Sequence, residues 1–287
     1  MRSFLSPIIP SLLFAGVALS APAPTPVVSQ VHVLSIHVPD HAAFDAVFFF
    51  FRDVVQLPPV YGEPSQPGNK EKRLYAGFSV GNAYLEPCGP YPSDAPFSSN
   101  RPARFHGLTF SPATTLAENA QDLTRRGISH SGVFGGGSGP RFVNCSDASL
   151  SGKQLSVGFW EIQDKKDRVN LGFVGSLLQQ AKGGALGVKR LAEVRIGYSG
   201  QASLEQWANF LAPARHEGAV WFVGNGPALR LVSSQENQIE SIVLKVESLE
   251  KAKAVLAQRN LLGKLTPDGI ELDPTRTFGL RILLKEK

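Results

Sequence analysis

Two histidine–glutamate pairs stand at nearly the same separation in this chain. His32 lies in VHVLSIHVPD and is followed by Glu86 in NAYLEPCG; His106 lies in FHGLTFSPA and is followed by Glu161 in VGFWEIQ. The interval between the histidines matches that between the glutamates to within a single position, the mark of one unit present twice in tandem. Two neutral imidazoles and two carboxylates form a ligand set for a divalent transition metal such as Zn, Ni, Co, Mn or Fe. The expected metal ligands are His32, Glu86, His106 and Glu161. A metal held there would act as a Lewis acid on a small substrate with adjacent oxygens, stabilising an enolate or alkoxide. Glu86 or Glu161, released from the metal, would serve as catalytic base. A second carboxylate, beyond the two histidines and one acid of iron oxygenases, favours a lyase or isomerase over a dioxygenase, which is the alternative. A lone histidine at a strand end is usually an ordinary polar residue. The repeat is what lifts this set above that reading.

Positioning four such side chains requires strands, and the apolar pattern supplies them. Residues 31–38 read as a strand ended by Pro39, and Asp40 as the N-cap of a helix with Phe44, Val47, Phe48, Phe51 and Val55 on one face. Phe48 to Phe51 are too many for one stripe, so some of them must meet a neighbouring module. Strands at 74–80 and 83–86 follow, joined by a Gly81-Asn82 turn. The second unit repeats the order: a strand at 105–110, a helix opened by a Thr115/Glu118 capping box and closed before Gly127, then strands at 131–134 and 155–162. The loop GGGSGP (135–140) lacks the Lys-Ser/Thr of a phosphate-binding loop. A charged turn and short helix at 165–182 read as a connector. A third unit begins near residue 189, with a Ser203/Gln206 capping box predicted for its helix. A fourth runs from residue 239 to the final strand GLRILLKE.

Strand, helix and three strands, duplicated, with His on the first strand and Glu on the last, resemble the vicinal oxygen chelate superfamily. That group includes glyoxalases, extradiol dioxygenases and bleomycin-resistance proteins. The residues that carry the likeness are His32 before Val38-Pro39-Asp40, Phe50 to Val55, Tyr84-Leu85-Glu86, His106-Gly107-Leu108, Trp160-Glu161-Ile162 and IVLKVESLEKAKAVL. The resemblance implies an α+β fold of four βαβββ modules paired into two domains with curled mixed sheets, and four ligands converging in the N-terminal cleft. The expected domains are 31–164 and 190–287, with 165–189 as connector. One feature conflicts with that placement. His32 shares strand parity with the core-like Leu34, Ile36 and Val38, and His106 with Leu108 and Phe110. A β-bulge at each histidine restores the cleft geometry; without it Ser35 and His37 face the cleft and His37 becomes the substitute ligand. In the C-terminal pair the corresponding first-strand residues read as Glu193 and Ser241, and the final strands offer Arg230 and Leu283, which is no ligand set.

The remaining features bound the function. The first 20 residues carry Arg2, an apolar run and Ala18-Leu19-Ser20 before Ala21, the pattern of a secretory signal peptide, cleaved or retained as an anchor. Residues 21–30 (APAPTPVVSQ) read as a proline-rich spacer. The chain is then expected to be secreted or periplasmic, with no stable membrane insertion after cleavage. Of 29 basic and 24 acidic residues, loss of Arg2 leaves 28 against 24, a balance of +4 with no basic stripe, so no nucleic-acid surface is expected. Cys88 and Cys145 are either a disulfide or two buried thiols. Tyr75, Phe78, Tyr84 and Trp160 are candidate pocket walls, and Arg73 and Arg104 candidate partners for an anionic ligand. His41, His130 and His216 read as surface residues. A metal-dependent enzyme, a non-catalytic small-molecule-binding module and a structural protein with decayed sites all suit the pattern.

Overall fold

A computed structural model describes residues 25–64, 73–90, 97–136, 141–161, 171–267 and 269–286. The signal segment, the first part of the spacer, residues 137–140 of the glycine loop and the charged turn 165–170 lie outside the described residues. The first module comprises β1 (Val28–His37), α1 (His41–Phe49), β2 (Pro59–Tyr61), β3 (Leu74–Tyr75), β4 (Gly77–Ser79) and β5 (Tyr84–Gly89). The second comprises β6 (Arg104–Pro112), α2 (Leu116–Arg125), β7 (Phe134–Gly135), β8 (Arg141–Cys145) and β9 (Ser156–Glu161). After α3 (Leu171–Gln180), the third has β10 (Val188–Tyr198), α4 (Gly200–Leu211), β11 (Arg215–Glu217), β12 (Val220–Phe222) and β13 (Ala228–Ser233). The fourth has β14 (Gln238–Val246), α5 (Leu249–Gln258), β15 (Leu262–Thr266), β16 (Gly269–Leu272) and β17 (Ile282–Lys285).

The modules pair into two mixed sheets. One runs β2-β4-β5-β1-β6-β9-β8-β7 with β3 beside β5, the other β11-β12-β13-β10-β14-β17-β16-β15. At the centre of each, the first strands of two modules lie antiparallel, β1 on β6 and β10 on β14, and each is flanked by a parallel last strand. This is the expected α+β arrangement of four modules in two domains.

One face of the N-terminal sheet carries its helices. Val31, Leu34, Ile36, Leu85, Leu108 and Phe110 pack there with Phe44, Val47 and Leu116 in a single buried core. The Asp40 carboxylate accepts from the Ala43 amide at 2.8 Å, and the Thr115/Glu118 capping box is formed in both directions. The four phenylalanines are accommodated by a change of helix type. After Phe49 the chain widens into a π-helical stretch (Phe50–Val55), which buries Phe50 and Phe51 together and leaves Phe49 exposed beneath Arg52. Phe51 meets Phe78, and Phe50 sits edge-on to Phe278 of the fourth module at 5.9 Å.

Several expectations are corrected. The spacer ends early, because 28–30 already pair within β1. The strand at 74–80 is broken at Ala76, the strand at 131–134 is reduced to β7, and β8, β11, β15 and β16 were not anticipated. Ser203 is not a cap: α4 starts at Gly200, and the buried Ser203 hydroxyl donates to Asn237 Oδ1 at 2.9 Å. Phe78 belongs to the helix-side core rather than a pocket wall, and Tyr75 is exposed. Cys88 and Cys145 are both buried and are not bonded to one another; the Cys88 thiol donates to the Ile36 carbonyl, and burial pushes the Cys145 thiol up to about 12.

Candidate ligand site on the cleft face

The opposite face of the N-terminal sheet begins with two bulges. Between the pairs Val31/Phe110 and Val33/Thr109, His32 is an extra residue in β1; between Ser35/Gly107 and Ile36/Phe105, His106 is an extra residue in β6. Each bulge swings its imidazole off the helix side, to which parity alone assigned it, and onto the cleft side. The two sites are related by the local twofold between the modules, since Ser111 follows His37 by the same interval as His106 follows His32. The contacts obey that symmetry. His32 Nδ1 lies 2.8 Å from the Ser111 hydroxyl, while the His106 ring stacks on His37 with centroids 3.9 Å apart.

Glu86 reaches the same face opposite Ser35. Its carboxylate accepts hydrogen bonds from the Tyr61 hydroxyl, a short contact, and from Ser35 Oγ at 3.3 Å. Gly107 is required there, since a Cβ on it would lie 2.8 Å from Ser35. Towards the other end, His32 stacks on Tyr84 (5.2 Å) and tilts against Trp160 (4.8 Å). Helix α3 folds back over this end: Val174 packs with Val33 and Tyr84, and the Ser79 hydroxyl donates to the Val174 carbonyl at 2.6 Å. The connector helix therefore covers the His32 end and leaves the His37–His106–Glu86 end.

Glu161 does not join them. It alternates with the core residues Val157 and Phe159, which places it on the helix side; there it accepts from the Leu116 amide at the start of α2 and pairs with Arg141 at 3.5 Å. The near-equal spacing of the two glutamates is not structural equivalence. Ser35 lies opposite Glu86, and its counterpart Thr109 lies opposite Gly158, so the residue equivalent to Glu86 is Gly158. His32 and His106 are equivalent; Glu86 and Glu161 are not. The expected ligand set is therefore not assembled, and among the described residues no group of three or more His, Cys, Asp or Glu side chains is arranged to hold a metal ion. His37, the substitute ligand, lies beside His106 face to face rather than with nitrogens converging on one point.

The electrostatics suit a neutral polar surface under a positive field. Burial holds His32 at about 4, and burial with the nearby Arg104 holds His106 at about 4. Burial, then His106, Arg104 and Arg73, drive His37 down to about 2. All three imidazoles are neutral at pH 7. Burial raises the Glu86 carboxyl above the usual range despite its two hydrogen bonds, and burial with Glu86 raises the Tyr61 hydroxyl. Three buried nitrogens on this face, His32 Nε2, His106 Nδ1 and Trp160 Nε1, have no hydrogen-bonding partner among the described residues. Strand parity named His37 and the aromatic content near the ligand strands named Trp160, whereas Tyr61 as a partner of Glu86 is visible only in the folded chain.

Two domains of paired βαβββ modules with bulged first strands define the vicinal oxygen chelate fold, and solved structures of that fold match this chain over nearly its whole length. An extradiol ring-cleaving dioxygenase from B. fuscum superposes with a TM-score of 0.56 at 15% identity, covering 93% of this chain and 74% of its own. The 2,3-dioxygenase LapB from Pseudomonas sp. KL28 gives 0.58 at 12% identity, covering 91% and 93%. A variant of homoprotocatechuate 2,3-dioxygenase from Brevibacterium fuscum gives 0.56 at 16%, covering 93% and 74%. At these identities the likeness is one of fold. No family model matches the chain, and no curated protein matches it in sequence.

Proposed function

We propose that this chain is a small-molecule-binding protein built on the vicinal oxygen chelate fold, with its ligand on the N-terminal cleft face beside His37, His106 and Glu86. The observation that carries this reading is the set of partnerless buried nitrogens, above all His106 Nδ1. Buried polar groups in folded proteins find partners almost without exception, and these nitrogens have none among the described residues, which supports a ligand or ordered water as their partner. Neutral imidazoles, a protonatable carboxyl and the field of Arg104 and Arg73 suit a small oxygen-rich ligand bearing negative charge. Homoprotocatechuate, named with one of the matching structures and carrying two adjacent hydroxyls and a carboxylate, is the first probe.

The test is calorimetric titration of the mature protein with homoprotocatechuate, together with elemental analysis. Saturable binding without stoichiometric metal, weakened at least tenfold in His106→Ala and Glu86→Gln, supports the reading. Binding that appears only after addition of a divalent metal, or that ignores both substitutions, overturns it.

A second reading keeps catalysis without the four-ligand centre. Glu86, raised by burial and hydrogen-bonded to Tyr61, is placed to move a proton in a lyase or isomerase reaction. Loss of turnover in Glu86→Gln with retained ligand binding would separate it from simple sequestration. We also propose export, on the strength of residues 1–20; the N-terminus of protein recovered from the medium of an expressing host should begin at or near Ala21.

A further inference from the structure

A pocket lies at the seam between the two domains, and none of His32, His106 and Trp160 lines it. Its volume is about 260 Å³, and Arg101, Arg104 and Arg281 line it with Phe97, Gln154 and Glu240. That volume has room for a small molecule. The strand pairs meet here: Gln154, ahead of β9, bridges to Gln238 at the start of β14.

The guanidinium groups are fixed by different partners. Arg104 stacks over the Phe97 ring at 4.6 Å and donates to Gln154 Oε1 at 3.0 Å. Arg281 donates to Glu271 at 2.9 Å. Arg101 forms no ion pair among the described residues, yet its backbone is pinned across the seam. Gly279, at φ +88, lies so close that a Cβ on it would fall 2.8 Å from Arg101 Cγ. Ala103 donates to the Phe278 carbonyl at 3.0 Å, and Phe278 itself sits at φ +58. A bulky residue in the left-handed region persists only where its surroundings over-determine it, so this stretch of the seam is held firmly.

Three cations face one lining carboxylate. Glu240 has one oxygen already accepting from Ser234 Oγ and Gln238 Nε2. Counting Glu271 as well, the three arginines exceed the two carboxylates by one charge among the described residues.

We infer that the seam pocket binds a small dianionic oxyacid, a dicarboxylate or a phosphate, held by Arg101 and Arg281 from opposite domains. Guanidinium forks match the paired oxygens of either group, and the excess of positive charge favours an anion. Because Arg101 belongs to one domain and Arg281 to the other, the ligand would clamp the seam and stabilise the chain by mass action. Arg104 borders both regions, but the proposed clamp rests on Arg101 and Arg281, neither of which the cleft-face reading uses.

The experiment is titration of the full mature chain with succinate and, separately, inorganic phosphate, at fixed ionic strength with chloride as reference. One saturable site per chain is expected for at least one probe, with affinity cut at least tenfold in Arg101→Ala and in Arg281→Ala. Glu240→Gln is expected to tighten binding, which a merely unfolded variant could not do. Preference for succinate identifies a dicarboxylate ligand, and preference for phosphate a phosphorylated one. Absence of saturation by either probe up to about 10 mM, a limit corresponding to affinities too weak to be specific, overturns the inference, as does binding unchanged in Arg101→Ala.

Discussion

Residue by residue, the cleft faces of the two domains can be laid on one another. The bulge that carries His32 in β1 carries Ala192 in β10, and the bulge that carries His106 in β6 carries Glu240 in β14. Opposite Ser35 stands Glu86; opposite Arg195, the equivalent of Ser35, stands Arg230. These registers correct the expected C-terminal positions, Glu193 and Ser241, by one residue each. The C-terminal face is closed by its own charges: Glu193 accepts from Arg195 at 2.8 Å and from Arg230 at 2.9 Å. The N-terminal face has neutral imidazoles, a carboxyl raised by burial, and buried nitrogens that no group among the described residues satisfies. One scaffold therefore presents a self-satisfied surface in one domain and an incomplete one in the other. Incompleteness, more than residue identity, marks the candidate site.

The largest test of this contrast is pH. The three cleft-face histidines titrate at about 4, 2 and 4 in the folded chain and near the ordinary 6.5 when unfolded. Below that value the unfolded chain takes up protons that the folded chain refuses, so stability falls as pH drops from about 6.5 towards 4, by up to ~1.4 kcal/mol per pH unit for each histidine. Above pH 6.5 the histidines contribute no slope. Denaturant unfolding across this window should show His106→Gln losing about one proton from the slope. An unchanged slope would mean that the imidazole is solvated and the face open to bulk water.

Next in size is one substitution made in both domains. Despite the burial that opposes it, Arg230 and Arg195 hold Glu193 below the usual carboxylate range. Glu193→Gln should therefore destabilise at pH 7, by about 1–2 kcal/mol once the partial exposure of both arginines is discounted. That loss disappears as pH falls through the folded value. Glu86 is raised, so its ionised form is disfavoured in the folded state. Glu86→Gln should be neutral or stabilising at pH 7, within about 1 kcal/mol. Equal losses in the two variants would erase the contrast.

The smallest effect is expected at Glu161. As a partly exposed ion-pair and helix-start acceptor, its replacement by Ala should cost no more than about 1 kcal/mol and leave cleft-face ligand binding unaltered. A tenfold loss of binding in Glu161→Ala would return it to the site.

Much of the architecture was legible because local chemistry dictates it. Asp40 and the Thr115/Glu118 box cap their helices as read, since the capping hydrogen bonds span a short stretch of chain and need no distant partner. The apolar density of Val31 to Val38 marked a strand, and the repeat interval correctly matched His32 with His106. The short hairpin strands β7, β11 and β15 went unread or misplaced, because so few residues give no period to detect. Ser203 failed as a cap because its hydroxyl is claimed by the distant Asn237.

By itself, then, the sequence determined the modules, their duplication and the pairing of the histidines, all consequences of periodicity and short-range capping. Which side each functional group faces was decided only in the folded chain. A single inserted residue reverses strand parity, so bulges that form between partners far apart in the chain turned His32 and His106 towards the cleft. Parity without a bulge kept Glu161 among the helices. Loop length, which no local rule constrains, made two glutamates look equivalent in number, whereas the register of β5 and β9 matches Glu86 with Gly158.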